Sequence, residues 1–112
     1  MTNVIERAKA HFAQEGPKEI EVPEWGDENG PLIIYSSPMT LQDRDVCLEQ
    51  AGGPNLKFHL YAIIRKAKDA DGNPIFTKAD KSDLLYKVDP SVLIRVGAEI
   101  VGTTSVEGME KN

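Results

Sequence analysis

The chain has 112 residues, 28% of them charged and 40% hydrophobic, with a formal net charge of −5. That length predicts one domain built on one core, stable without disulfides or a structural metal. The negative balance disfavours binding to phosphate backbones, and a lone cysteine, Cys47, excludes an intramolecular disulfide and suits a reducing compartment. No apolar run approaches the roughly 20 residues of a membrane span. Glu6 and Arg7 stand where a signal peptide needs an apolar stretch. A cytoplasmic protein is the resulting expectation.

Taken in order, residues 2–14 read as a helix with Ile5, Ala8 and Phe12 on one narrow face, stopped by Gly16-Pro17. Such a helix docks on the domain or awaits a partner. Residues 18–25 alternate, with Ile20 and Val22 on one side and Glu19 and Glu21 on the other, the pattern of a half-buried strand. Pro23 puts that strand at a sheet edge or ends it. Residues 26–30 read as a turn and Leu32 to Tyr35 as a second strand. The hairpin is marginal alone, so it must lie against helices, gain a strand or pair with another subunit.

Thr40 with Asp43 predicts a capped helix whose thin face holds Leu41 and Leu48, extended by Val46 and Cys47, and ended by Gly52-Gly53-Pro54. Residues 55–68 carry the longest unbroken helical period: Leu56, Leu60, Ile63 and Ala67 at i, i+4, i+7 and i+11. Asn55 is its predicted N-cap, and Lys57, Arg65, Lys66 and Lys68 fall largely outside its apolar face. Residues 69–74 form a turn-rich loop, and Thr77 with Asp80 caps a helix through Leu84, Leu85 and Val88. Asp89-Pro90 starts a last helix with Leu93, Val96 and Ile100 on its face, closed by Gly102. The expected fold is a mostly helical α+β domain over residues 1–112: an N-terminal helix and breaker (1–17), one hairpin, then about four short helices packed on a central one. Residues 103–112 read as a polar, frayed tail.

Candidate chemistry is thin. Asp69, Asp71 and Asn73, with Asp80 eleven residues after the first, have the oxygen spacing of a calcium loop, but Pro74 stands where that loop needs glycine and Asp80 where it needs a bidentate Glu. An Asp-Gly turn is the preferred reading. Cys47 with His59 or His11 would be the nucleophile of a small thiol enzyme, although a helical Cys beside Val46 and Leu48 is ordinarily core. Ser36-Ser37 lies outside a nucleophile elbow, and Gly52-Gly53-Pro54 lacks the Lys and Ser/Thr of a phosphate loop. The basic group Lys57, Arg65, Lys66 and Lys68 is local, and its members in the last turn complement the helix dipole without a ligand. Trp25 and Tyr35, on the two arms of the hairpin, form a cross-strand pair or an exposed contact, with packing preferred. No cofactor or metal is expected.

The order of segments resembles the tail assembly chaperones of long-tailed phages, the siphoviruses. Val22-Pro23-Glu24-Trp25-Gly26, a turn, and Leu32 to Tyr35 are similar to the hairpin that opens many of them. Met39-Thr40-Leu41-Gln42-Asp43-Arg44-Asp45 follows as the family's helix start, with Asp43 in place of Glu. Asp71-Gly72-Asn73-Pro74-Ile75-Phe76-Thr77 with Asp80 is similar to its later segment. The resemblance covers about residues 19–112. It implies a non-enzymatic late protein of virion morphogenesis, in the bacterial host cytoplasm and absent from the mature virion. Such a protein binds and solubilises the tape-measure protein and self-associates, and a ribosomal frameshift in many of these genes makes a longer form that recruits tail-tube subunits. Lys111-Asn112 can be encoded within an A-AAA-AAC slippery heptamer. The candidate partner-binding residues are Trp25, Tyr35, Ile63, Ile64, Leu84, Leu85, Leu93 and Val96, some of which must also form the core. The alternatives are a structural tail-completion or connector protein, the thiol enzyme using Cys47, and a DNA-binding module of short helices.

Overall fold

Local sequence signals set most of the element boundaries in the computed structural model, which describes residues 3–102. Helix α1 spans Val4–Ala13, with the Asn3 side chain accepting from the Glu6 N–H as its cap. No residue of α1 is buried, and Val4, Ile5 and Phe12 are exposed. Strand β1 runs Lys18–Asp27 and β2 runs Gly30–Ser36, antiparallel. Ile20, Val22 and Ile34 point inward from this hairpin and are buried, as the alternation predicts.

The hairpin departs from the expected turn at residues 26–30. Pairing is regular from Lys18–Ser36 to Val22–Leu32 and resumes only at Asp27–Gly30, so Pro23 to Gly26 stand opposite Pro31 alone. The strand arches out here because neither proline can donate to the ladder. Each residue of the arch has a separate task. Glu24 accepts two hydrogen bonds from the Arg95 guanidinium at 2.8 Å each, which holds its carboxyl down to about 2. The Trp25 ring meets Phe76 edge-on at 5.9 Å. Gly26 lies so close to β2 that a Cβ on it would stand 2.3 Å from the Gly30 carbonyl oxygen. Trp25 is therefore no cross-strand partner of Tyr35, which pairs with Glu19.

Helix α2 is Leu41–Ala51, opened by a full Thr40–Asp43 capping box and closed at left-handed Gly52, where the Gly53 N–H reaches the Leu48 carbonyl. Its buried face is Asp43, Cys47 and Ala51. Cys47 is on the buried face as expected, but Leu41 is not: it is 84% exposed, because the stripe begins at an aspartate that no apolar count would select.

Helix α3 is Lys57–Lys66. Asn55 does hold its start, its side chain accepting from the Lys57 N–H at 2.9 Å, but Leu56 precedes the helix and is exposed rather than part of the core face. The helix ends two residues before Lys68 because Ala67 turns extended. Lys68 then exchanges both backbone hydrogen bonds with Tyr35 and bridges Pro74. It covers part of the free edge of β2 instead of complementing a helix dipole. Asp69 organises the following loop as a turn, its carboxylate accepting from the N–H groups of Asp71 and Asn73.

A 3-10 turn at Lys78–Asp80, boxed by Thr77 and Asp80, leads into α4, Lys81–Tyr86, which ends before Val88. Helix α5, Pro90–Val101, starts on the Asp89 cap and stops at left-handed Gly102. Its last carbonyls accept from distant cations: the Lys18 ammonium meets the Glu99 oxygen and the Arg44 guanidinium that of Val101. Helix α3 packs on α2, α4 and α5, and α5 carries the hairpin, so α3 is the central helix. Ile63, Leu84, Leu93 and Val96 are buried in the common core. The expectations for residues 103–112, including Lys111-Asn112, and for Thr2 lie outside the described residues.

The α3–α5 contact rests on Gly97, which lies against the backbone and Cβ of His59. His59 Nδ1 is buried with no hydrogen-bond partner among the described residues, and burial pushes the imidazole below its ordinary value of 6.5. The folded chain thus takes up this proton less readily than the unfolded chain. Its contribution to stability is complete above about pH 6.5 and is lost as the pH falls below it. We expect denaturant midpoints of the wild type to fall between pH 6.5 and 5, and His59→Phe to flatten that decline without loss of stability at pH 7. Identical profiles for the two proteins would contradict this assignment.

Candidate partner-binding groove

Apart from the exposed side chains of α1 and Leu41 at the start of α2, much of the incompletely covered apolar surface among the described residues lies around the shortest helix, α4. Six residues are too few to cover the ends of α3 and α5 beneath them. On one side lies a cleft of about 290 Å³ whose walls include Leu60, Leu85, Leu93 and Ile94, with Leu56 and Tyr86 at its mouth, 68% and 80% exposed. On the other side a cleft of about 380 Å³ is lined by Trp25, Leu32, Ile75, Phe76, Leu84 and Val88. Leu84 and Val88 belong to both. The two clefts therefore share a wall, and apolar surface continues from the hairpin arch to the start of α3. The Asp89 cap fixes the tight α4–α5 turn that keeps Val88 at this wall. The Ser91 N–H and hydroxyl both donate to its carboxylate, and these bonds hold it below the usual range.

A third pocket, about 350 Å³, lies at the opposite end of the α3–α4 seam. Tyr61 and Ile64 contribute its apolar wall, and Arg65, Lys78 and Lys81 its charge. The Lys81 ammonium stands 5.4 Å from the centre of the Tyr61 ring, a cation–π distance. Arg65 is held from below by Asp43 at 2.8 Å.

Asp43 ties α2 to α3 and, through Lys66, to the segment that leaves β2. Its carboxylate accepts from the Thr40 N–H, from Arg65 and from the Lys66 ammonium at 3.2 Å, and that ammonium also donates to the Ser37 hydroxyl at 2.8 Å. Lys66, expected outside the core face, is buried. Burial works against the charged form of Asp43, but the Thr40, Arg65 and Lys66 hydrogen bonds outweigh it and hold the carboxyl well below the usual range. Cys47 lies one turn further along α2, fully buried. Burial is the main influence that pushes its thiol up, and no hydrogen bond joins it to a histidine among the described residues. This arrangement is a packed thiol beside a structural ion pair, the reverse of an activated nucleophile.

The eight candidate binding residues therefore divide. Ile63, Leu84, Leu93 and Val96 are core, although Leu84 and Leu93 also form cleft floors. Trp25, Ile64 and Leu85 are partly exposed on the three cavity walls, whereas Tyr35 stands outside all three. Leu56, Phe76, Tyr86, Val88 and Ile94 were not legible as groove residues. Leu56 fits the α3 period, Ile94 lies on α5 beside the face assigned to Leu93, Val96 and Ile100, and Phe76, Tyr86 and Val88 sit in short segments with too little periodicity to assign a face.

Among the described residues no group of three or more His, Cys, Asp or Glu is placed to hold a metal, and no helix is long and apolar enough to cross a membrane. No protein-family model matches the chain, and neither a curated protein nor a solved structure matches it.

Proposed function

We propose that the protein is a non-enzymatic tail assembly chaperone of a long-tailed phage. It binds the tape-measure protein in the host cytoplasm, keeps it soluble and helps recruit tail-tube subunits. The observation that carries this reading is the continuous apolar surface around α4, where the two clefts share Leu84 and Val88. A chaperone for a long helical client needs open apolar grooves on a stable scaffold, because an amphipathic helix is recognised by the apolar stripe it lays into them. The hairpin and α2 segments that resemble the chaperone family support it from the sequence side. The exposed apolar residues of α1, Val4, Ile5 and Phe12, suit self-association when no client is bound.

Co-expression with the tape-measure protein of the same phage tests the reading. The tape measure is expected in the soluble fraction only when this chain is present. Leu85→Glu, a partly exposed cleft position, is expected to reduce that fraction about tenfold while leaving the thermal midpoint within a few degrees. A tape measure equally soluble without the chain would contradict the proposal. So would recovery of the chain as a stoichiometric component of purified particles, which would favour a connector or completion protein.

A further inference from the structure

The charges bordering the α3–α4 seam add chemistry to its apolar floor. Lys57, Tyr61 and Ile64 recur at i, i+4 and i+7 along α3, and Lys78, Lys81 and Leu85 follow one another along the facing side of the 3-10 turn and α4. One cleft takes the early part of α3 with the late part of α4, and the basic pocket takes the reverse. The two elements therefore run antiparallel, and both cavities open along one seam. Its floor is Tyr61, Ile64, Leu60 and Leu85, and its borders are cationic at Lys57, Arg65, Lys78 and Lys81.

Three of those cations have no counterion among the described residues. Lys57, Lys78 and Lys81 make no ion pair with a described residue, in a chain of net charge −5. The nearby acids are engaged elsewhere: Asp80 closes the Thr77 capping box, Asp83 pairs with Lys87 at 3.6 Å, and Asp43 lies beneath Arg65. Uncompensated cations of one sign on both sides of an apolar floor are complementary to an apolar stripe with acidic flanks.

We propose that this seam binds an amphipathic helix whose apolar stripe is bordered by Glu and Asp. This specifies the client segment, and it rests on the chaperone reading above. The apolar floor favours a helix over nucleic acid, whose phosphates would leave Ile64 and Leu85 uncovered. Electrostatic complementarity at exposed borders supplies selectivity and salt dependence more than raw affinity.

The test uses the full chain and three synthetic helical peptides with one leucine stripe, flanked by Glu, Gln or Lys. Binding is followed by fluorescence anisotropy at low and high salt. The Glu peptide is expected to bind about tenfold tighter than the Lys peptide at low salt. That preference is expected to vanish in Lys57→Glu/Lys81→Glu, whose exposed substitutions leave the circular-dichroism melt unchanged. Equal binding of the three peptides, or binding of none, would overturn the acidic-helix assignment. So would displacement of the Glu peptide by a single-stranded oligonucleotide, or a wild-type dimer that Lys57→Glu/Lys81→Glu dissociates without any peptide binding. Tape-measure solubilisation by the same double variant separates the two ideas. If solubility persists while the peptide preference is absent, the acidic seam fails and the chaperone reading stands; if the wild type does not solubilise the tape measure, the chaperone reading fails by itself.

Discussion

Asp43→Ala is expected to destabilise the protein by about 3–5 kcal/mol, a large part of the 5–15 kcal/mol that holds a typical domain together. Two losses combine. The smaller is the side-chain half of the α2 capping box, the bond the Asp43 carboxylate accepts from the Thr40 N–H; the residue-43 N–H still reaches the Thr40 hydroxyl in alanine, so this loss is about 1 kcal/mol. The larger is the Lys66 ammonium, buried with the Ser37 hydroxyl as its only remaining described partner. A charge left without a counterion in such a site is far more costly than the pair was favourable. Lys66→Met in the Asp43→Ala background is therefore expected to recover much of the loss, whereas independent sites would add. Urea titrations of the four proteins at pH 7 measure this coupling. A cost below about 1 kcal/mol for Asp43→Ala would mean that Lys66 reaches water when its partner is removed. The same contact sets an acid limit. Asp43 is depressed in the folded state, so its contribution is complete above the ordinary carboxylate value near 3.8 and is lost as the pH falls below it toward the folded value.

Gly97→Ala is expected to cost about 3 kcal/mol or to prevent folding. Helix propensity argues the other way, since alanine in a helix interior is favoured over glycine by about 1 kcal/mol. The steric term decides the sign. A Cβ at Gly97 would stand 2.5 Å from the His59 Cβ, 2.9 Å from its Cα and 3.0 Å from its carbonyl oxygen. Two of those three atoms are backbone, so no rotamer change relieves the clash and α3 must move away from α5. That separation opens the core at Ile63, Val96 and Ile100, where each buried aliphatic side chain contributes about 1.5–3 kcal/mol. His59→Ala is expected not to rescue Gly97→Ala, because all three atoms, the Cβ included, remain in alanine. Thermal melts of the two single variants and the double variant distinguish this from loss of the imidazole. A Gly97→Ala protein as stable as the wild type would show that the two helices can separate at little cost.

The sites least visible in the sequence are those where two distant segments complete each other. The buried character of Asp43 depends on Arg65 and Lys66, 22 and 23 residues away. A pattern that scores aspartate as polar assigns the α2 face to Leu41, which is in fact open to solvent. The arch from Pro23 to Gly26 begins at prolines visible in the sequence, but the partners that Glu24 and Trp25 meet there, Arg95 and Phe76, are distant in the chain. The groove is harder still: exposure of Leu56, Leu85 and Tyr86 follows from how little of α3 and α5 the six-residue α4 covers, which has no local signature.

What the sequence determined alone was whatever a few neighbouring residues enforce. The Thr40–Asp43 and Thr77–Asp80 boxes, the Asp89-Pro90 start, the Gly52 and Gly102 stops and the inward Ile20 and Val22 all act within about one turn or one pleat. Tertiary structure alone decided which helical face was covered, which cation was buried and where apolar surface stayed open. Those outcomes depend on close approaches such as Gly97 against His59 and on charge pairs between elements distant in the chain, and burial is a property of what packs on a residue from elsewhere in the chain.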